Sequence, residues 1–251
     1  MDKRKLGSKT AKGGFRNEED VIYKFNNWKE DKTAQDWLVT MNYVINEIEY
    51  VKAVKMAGNY KTDVQVQVTI KLKKAIDCEN LSVKLVSNPN GFNQIDKREI
   101  DKYVHMWNIP PKIEYLLRLF TGKIEPKNKE KLKDNRRMFL DEFSEKDKKE
   151  IINFFSKNKI LIISDILKGR DKFTADWMLV ILKKNKESYE WILRDINDVM
   201  NVFGQGDVKI TDRGSLKIGK ITMQRKGGDA GRESAKMLQF KINPCLLFKS
   251  N

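Results

Sequence analysis

Between residues 63 and 72 hydrophobic and polar positions alternate without a break: Val64, Val66, Val68, Ile70 and Leu72 against Gln65, Gln67, Thr69 and Lys71. Successive strand side chains point to opposite faces, so this run predicts a strand with one buried face. Residues 81–86 repeat the pattern, with Val83 and Leu85 on one side and Ser82, Lys84 and Val86 on the other. A shorter strand, 51–54, precedes both, and Gly58-Asn59 marks a turn between them. Upstream the period changes to that of a helix. Val21, Ile22, Phe25 and Trp28 recur behind Asn17, a good N-cap, with Glu18, Glu19 and Asp20 in the first turn where the helix dipole favours acids. A second helix starts near Thr33 and carries Trp37, Leu38, Met41 and Val44 on its apolar face.

Farther on, residues 87–91 (Ser-Asn-Pro-Asn-Gly) read as a loop, 96–107 and 111–120 as helices separated by Pro110-Pro111, and the lysine-rich 121–135 as an exposed connection. Helical segments are predicted at 136–143, at 144–157 behind Ser144, and at 160–168. The last third returns to strands at 175–182, 189–193, 208–210, 215–218, 220–225 and 238–242, with a helix near 195–202. The five tryptophans, Trp28, Trp37, Trp107, Trp177 and Trp191, are assigned to the core. The fold class expected is mixed α/β: a central mixed sheet flanked by helices, with additional C-terminal strands. Residues 1–251 are read as one domain, with a basic arm at 1–16, a core at 17–125, and a helical insert with further strands at 126–251.

Charge narrows the partner. Fifty Lys and Arg face 35 Asp and Glu, a formal charge of +15 in a chain that is 34% charged and 40% hydrophobic. Such an excess concentrates polyanions, nucleic acid first and an anionic membrane surface second. No stretch approaches the roughly 20 apolar residues of a spanning helix. No apolar segment follows the charged N-terminus, so neither a membrane span nor a secretory signal is expected. Cys78 and Cys245 lack metal-type spacing and fit reduced thiols in a cytoplasmic protein.

His105 is the only histidine. Ser-His-Asp triads and His-Cys zinc sites therefore lack their parts. A hydrolase built from this chain must use carboxylates, lysines and a hard metal ion. Asp63, directly before the alternating strand, and Ser82 and Lys84, on one face of the next strand with the Val83 carbonyl between them, suit that chemistry. Spacing alone leaves two readings open. Asp63 is also a turn residue and Lys84 also a solvated strand lysine. Glu18 or Glu19 offers a further carboxylate, or merely favours the helix N-terminus.

The surrounding residues add a resemblance. The run Ser82-Val83-Lys84-Leu85-Val86-Ser87-Asn88, then Gly91-Phe92-Asn93-Gln94-Ile95-Asp96-Lys97, resembles the HinP-type restriction endonucleases of the PD-(D/E)xK nuclease superfamily. So do Gly7-Ser8-Lys9-Thr10-Ala11-Lys12, Ala34-Gln35-Asp36-Trp37-Leu38-Val39-Thr40-Met41, Gln224-Arg225-Lys226-Gly227-Gly228-Asp229 and Met237-Leu238-Gln239-Phe240-Lys241, in order along nearly the whole chain. The resemblance implies a Mg²⁺-dependent type II enzyme that cuts double-stranded DNA at a short palindrome, GCGC in relatives. A DNA methyltransferase would act as its functional partner, and a homodimer would suit the palindrome.

On this resemblance Asp63 and the Val83 carbonyl bind metal, and Lys84 orients the attacking water. The family's motif has Gln where this chain has Ser82, whose shorter hydroxyl reaches a metal less far and would meet it through a bridging water. Decay of the site to a non-catalytic DNA-binding module is the alternative. Phe92 and Gln94, in the loop after Lys84, are assigned a wedging role from the minor-groove side, with a core anchor as the bland reading. Gln224, Arg225, Lys226, Asp229 and Arg232 match the donors and acceptor that G and C edges require, although Gly227-Gly228 also permits a plain charged turn. Lys97 and the arm residues Lys3, Arg4, Lys5, Lys9 and Lys12 are assigned to phosphates.

Overall fold

The computed structural model describes residues 18–56, 65–170, 174–184, 188–228 and 232–249. In chain order its elements are α1 (18–26), α2 (Lys32–Thr40), β1 (Ile48–Lys55), β2 (Gln65–Leu72), β3 (Ile76–Val86), β4 (Asn93–Arg98), α3 (Ile100–Trp107), α4 (Pro111–Thr121), α5 (Glu145–Lys157), α6 (Lys159–Leu167), β5 (Trp177–Lys183), β6 (Tyr189–Asp195), α7 (Ile196–Gly204), β7 (Val208–Ile210), β8 (Leu216–Ile218), β9 (Ile221–Arg225) and β10 (Leu238–Ile242). The chain divides into two compact units: Met1–Gly91 with Lys168–Val199 and Asn243–Asn251, and Phe92–Leu167 with Met200–Ile242.

The first unit holds a mixed sheet in the order β1-β2-β3-β5-β6. Only β3 and β5 run parallel. A parallel pair needs a long crossover, and here the chain traverses residues 92–167 of the second unit between the two strands. One face of this sheet is apolar because the alternation set it so. Val66, Val68 and Ile70 of β2, Leu81 and Val83 of β3, and Leu179 and Ile181 of β5 pack with Val21 and Phe25 of α1 and Ala34, Trp37 and Leu38 of α2. Asp31 starts α2 by accepting from the Ala34 N–H at 3.0 Å. Trp37 lies tilted against Phe25, ring centroids 5.2 Å apart, and edge-on to Trp191. At the edge strand β1, the Asn26 side chain donates to the Ala53 carbonyl at 3.2 Å and accepts from the Ala53 N–H at 2.8 Å. A 3₁₀ turn, Pro244–Lys249, packs against β3, β5 and β6.

The second unit holds an antiparallel sheet in the order β4-β10-β9-β8-β7. Its apolar face carries Leu216, Ile218, Ile221, Met223, Leu238, Phe240 and Ile242, all buried. Phe240 meets Tyr103 and Trp107 of α3 edge-on, and Trp107 donates through Nε1 to Asp165 of α6 at 2.8 Å. The β8–β9 hairpin turns in two residues, Gly219-Lys220. Gly219 adopts φ +58°, and a Cβ there would lie 2.6 Å from the Phe203 carbonyl oxygen.

Three sequence expectations are corrected. Residues 96–107 are not one helix: β4 runs to Arg98 and α3 begins at Ile100. Pairing with β10 holds this polar stretch in a strand (Phe240 opposite Asp96, Leu238 opposite Arg98), and tertiary pairing overrides local pattern. Asp96 is fully buried because Arg98 Nε, at 3.0 Å, and the Tyr103 hydroxyl, at 2.5 Å, both donate to it. Residues 136–143 form only a 3₁₀ turn, Leu140–Glu142. β3 starts at Ile76, earlier than the alternation of 81–86 suggests. The mixed α/β class, with a central mixed sheet and further C-terminal strands, is as the sequence predicts.

Candidate functional site

Ser82 and Lys84 stand on β3, between β2 and the parallel strand β5. Ser82 pairs with Gln65 on one side and Met178 on the other, and Lys84 pairs with Val180. Strand alternation puts both side chains on the face opposite Leu81 and Val83, which belong to the helical core. Ser82 is 1% exposed and Lys84 5%. Lysine is almost never fully buried in proteins, and a hydroxyl taken out of water normally finds a partner. The Ser82 Oγ has none. A buried ammonium two residues from an unpartnered buried oxygen is a costly arrangement for packing alone and a suitable one for chemistry.

Asp63 lies outside the described residues. Among the described residues no group of three His, Cys, Asp or Glu side chains could hold a metal ion. Glu18 accepts from Lys55 at 2.7 Å. Lys55 shares strand parity with Ala53, which faces the helical core, so Glu18 is not brought together with Ser82 and Lys84.

The second unit presents a polar, basic sheet face. Following the registers, Lys209 pairs with Lys217, Lys217 with Thr222, Thr222 with Lys241 and Lys241 with Gln94. A second row pairs Gln224 with Gln239 and Gln239 with Lys97. A cavity of ≈ 530 Å³ opens there, lined by Phe92, Lys217, Thr222, Gln224 and Lys241 with the 211–215 loop. Phe92 is 53% exposed, so it is no core anchor. The Lys217 ammonium sits 5.1 Å from the centroid of its ring. Burial pushes the Lys217 pKa down, with Lys209 adding repulsion, and burial alone lowers Lys241. Both lysines gain from an anion brought against this face.

Of the residues singled out in sequence, Phe92, Gln94, Lys97 and Gln224 meet on this unit's sheet and its cavity. Arg225 does not. It follows the parity of buried Ile221 and Met223, pairs with buried Leu238, and lies within the fields of Arg136 and Asp134. Lys226 and Arg232 flank the loop after β9, where Gly227 and Gly228 take φ +65° and +67°. Asp229 and the arm residues Lys3, Arg4, Lys5, Lys9 and Lys12 lie outside the described residues. Sequence reasoning missed Lys209, Lys217, Thr222, Gln239 and Lys241. Their signal was present: Lys217, Thr222 and Lys241 each stand between two buried apolar neighbours on a strand. Among the described residues no helix is long and apolar enough to cross a membrane.

The family model of the R.HinP1I restriction endonuclease matches residues 41–248. The chain belongs to that family. It is therefore a type II restriction endonuclease, an enzyme that acts on DNA. A comparison with curated proteins finds no match. Among solved structures, the restriction endonuclease MspI in complex with its cognate DNA is similar in fold, with a TM-score of 0.65 at 14% identity, covering 96% of this chain and 93% of that one. Among the described residues, the buried pair on β3 and the basic face of the second sheet both hold polar chemistry at a cost to folding.

Proposed function

We propose that this enzyme hydrolyses phosphodiester bonds of double-stranded DNA at a short palindrome, GCGC, using Mg²⁺, with Asp63, Ser82 and Lys84 as its catalytic residues. The carrying observation is the pair Ser82 and Lys84, both buried on one face of β3. Asp63 precedes Gln65 by as many residues as Lys84 follows Ser82, and Gln65 and Ser82 are register partners. The equal spacing supports setting the carboxylate across from the ammonium.

The donors fit a hard metal ion. Ser82 contributes an orphaned buried oxygen, Asp63 a carboxylate and Val83 a backbone carbonyl, and none of the three is soft. Asp63 and the Val83 carbonyl would hold Mg²⁺, with Ser82 beside it; bound there, the ion supplies Lewis acidity at phosphorus and a more acidic water. Lys84 holds that water by its ammonium and offsets the charge that develops on the phosphoryl oxygens. Phe92 and Gln94 wedge the base step, Gln224, Lys226, Asp229 and Arg232 meet base edges or the adjoining backbone, and Lys97 meets phosphate. The enzyme works in the cytoplasm beside a DNA methyltransferase that protects the host, and a homodimer matches the two-fold target.

Incubation of the full chain with unmethylated plasmid and Mg²⁺ tests this. Discrete fragments from the wild type, none from Lys84→Ala, and none when the GCGC sites are methylated are expected. EDTA-insensitive DNA binding with no cutting by either protein would overturn it in favour of a non-catalytic DNA-binding module.

A further inference from the structure

One cluster in the second unit has more cation than it can satisfy. Arg136 grips Asp134 with both ends of its guanidinium, Nε to Oδ1 at 2.9 Å and Nη2 to Oδ2 at 3.0 Å. Arg137 shares the same carboxylate only loosely, at 3.6 Å. Its planar group is instead fixed by the ring of Phe139, 3.8 Å from the centroid. Glu142, the other carboxylate near Arg137, is taken by the backbone N–H groups of Lys133 and Phe139, each at 2.6 Å. Arg225 makes no ion pair among the described residues, and its Nε and that of Arg137 are buried without a hydrogen-bond partner. Burial first, then the charge of Arg225 on Arg137 and of Arg136 on Arg225, hold both guanidinium pKa values below the ordinary arginine range.

A guanidinium serving only the fold is normally paired, since burying one unpaired is costly. Three arginines around one carboxylate, one of them unpaired and one stacked in a fixed plane, make a fork-shaped receptor for a tetrahedral oxyanion. The ligand follows from chain position. Arg225 is the last residue of β9, its side chain on the face opposite Gln224, and the Lys226–Gly228 loop follows directly at that strand end. We infer that Arg136, Arg137 and Arg225 form an anion site that takes one backbone phosphate of the DNA, fixing the register in which Gln224 reaches the bases. This rests on the DNA-binding part of the proposed function, and it reassigns Arg225 from reading bases to positioning the backbone.

The test uses the full chain in EDTA, binding duplex DNA across a salt series, with Arg225→Met and the exposed Arg136→Gln as variants. Each should weaken binding to all duplexes alike and flatten the slope of log affinity against log salt by about 0.9, the loss of one phosphate contact. Inorganic phosphate should raise the melting temperature of the wild type more than that of Arg225→Met. Unchanged salt slopes in both variants would overturn the proposal, as would a phosphate effect on melting without any change in duplex binding, which would mark a free-anion site only. If the wild type fails to cut plasmid while the slopes still fall, the anion site stands and the nuclease reading fails.

Discussion

Removing the Ser82 hydroxyl should stabilise the metal-free protein. The Oγ atom is withdrawn from water and has no hydrogen-bond partner, so it carries its desolvation cost uncompensated. Leaving such a group unsatisfied costs about 1–3 kcal/mol. Ser82→Ala deletes it and opens a void of only one oxygen between β2 and β5. We therefore expect a net gain of about 1 kcal/mol, which for a chain of this size corresponds to a melting temperature roughly 2–4 °C higher. Calorimetry with EDTA measures this, and the series is repeated with Mg²⁺. A metal that uses Ser82, directly or through water, stabilises the wild type more than the variant, because ligand binding to the native state adds to stability. The metal-free advantage of Ser82→Ala should then shrink as Mg²⁺ is added, while plasmid cleavage falls. A metal-free variant less stable than the wild type by about 1 kcal/mol or more would refute the reasoning, for it would mean that the hydroxyl has a partner worth keeping.

Tyr103→Phe removes the hydroxyl that donates to fully buried Asp96, leaving Arg98 as its remaining side-chain donor; a loss of about 1.5–3 kcal/mol in urea unfolding is expected. Gly219→Ala should cost about 1–3 kcal/mol in the same assay, because φ +58° is strained for alanine and its Cβ would meet the Phe203 carbonyl. Asp134 is held at a pKa of about 2, below its usual 3.8, first by its hydrogen bonds with Arg136. A lowered carboxylate pKa adds stability above the unfolded value and loses it as pH falls through the folded one. Asp134→Asn should thus be less stable than the wild type at neutral pH, and thermal melts should show the gap closing between about pH 4 and pH 2.

Much of the fold is visible in the residue pattern, and the physical reason is burial on one side. β2 and β3 alternate because one face meets α1 and α2, so Val66, Val68, Leu81 and Val83 had to be apolar. β4 gave no such sign. Its sequence, Asn-Gln-Ile-Asp-Lys-Arg, holds one apolar residue, and its strand state depends on β10, far away in sequence. The pattern alone left Lys84 open to a solvated reading; the resemblance to the HinP-type enzymes singled out Ser82 and Lys84, and their burial emerges only once β3 is set between β2 and β5. Arg225 was misplaced for a related reason. Gln224, Arg225 and Lys226 look like one recognition run in sequence, yet alternation sends Arg225 to the opposite face, toward a cluster whose members at 134–137 nothing in the local pattern connects to it. The registers gather Lys217 and Lys241 from separate hairpins, so no single window of sequence displays the face they share.

The amide of Asn26 has a consequence beyond tying α1 to β1. An edge strand offers its outward N–H and carbonyl groups as a template on which another chain can add. At Ala53 both groups are already engaged by one side chain that copies the donor and acceptor of a backbone partner. An incoming strand would have to break both bonds before it gained its own. At Ala53, sheet growth across copies along β1 is thereby opposed. Asn26, at the end of α1, thus occupies the outer edge of β1, which among the described strands has no neighbour on that side.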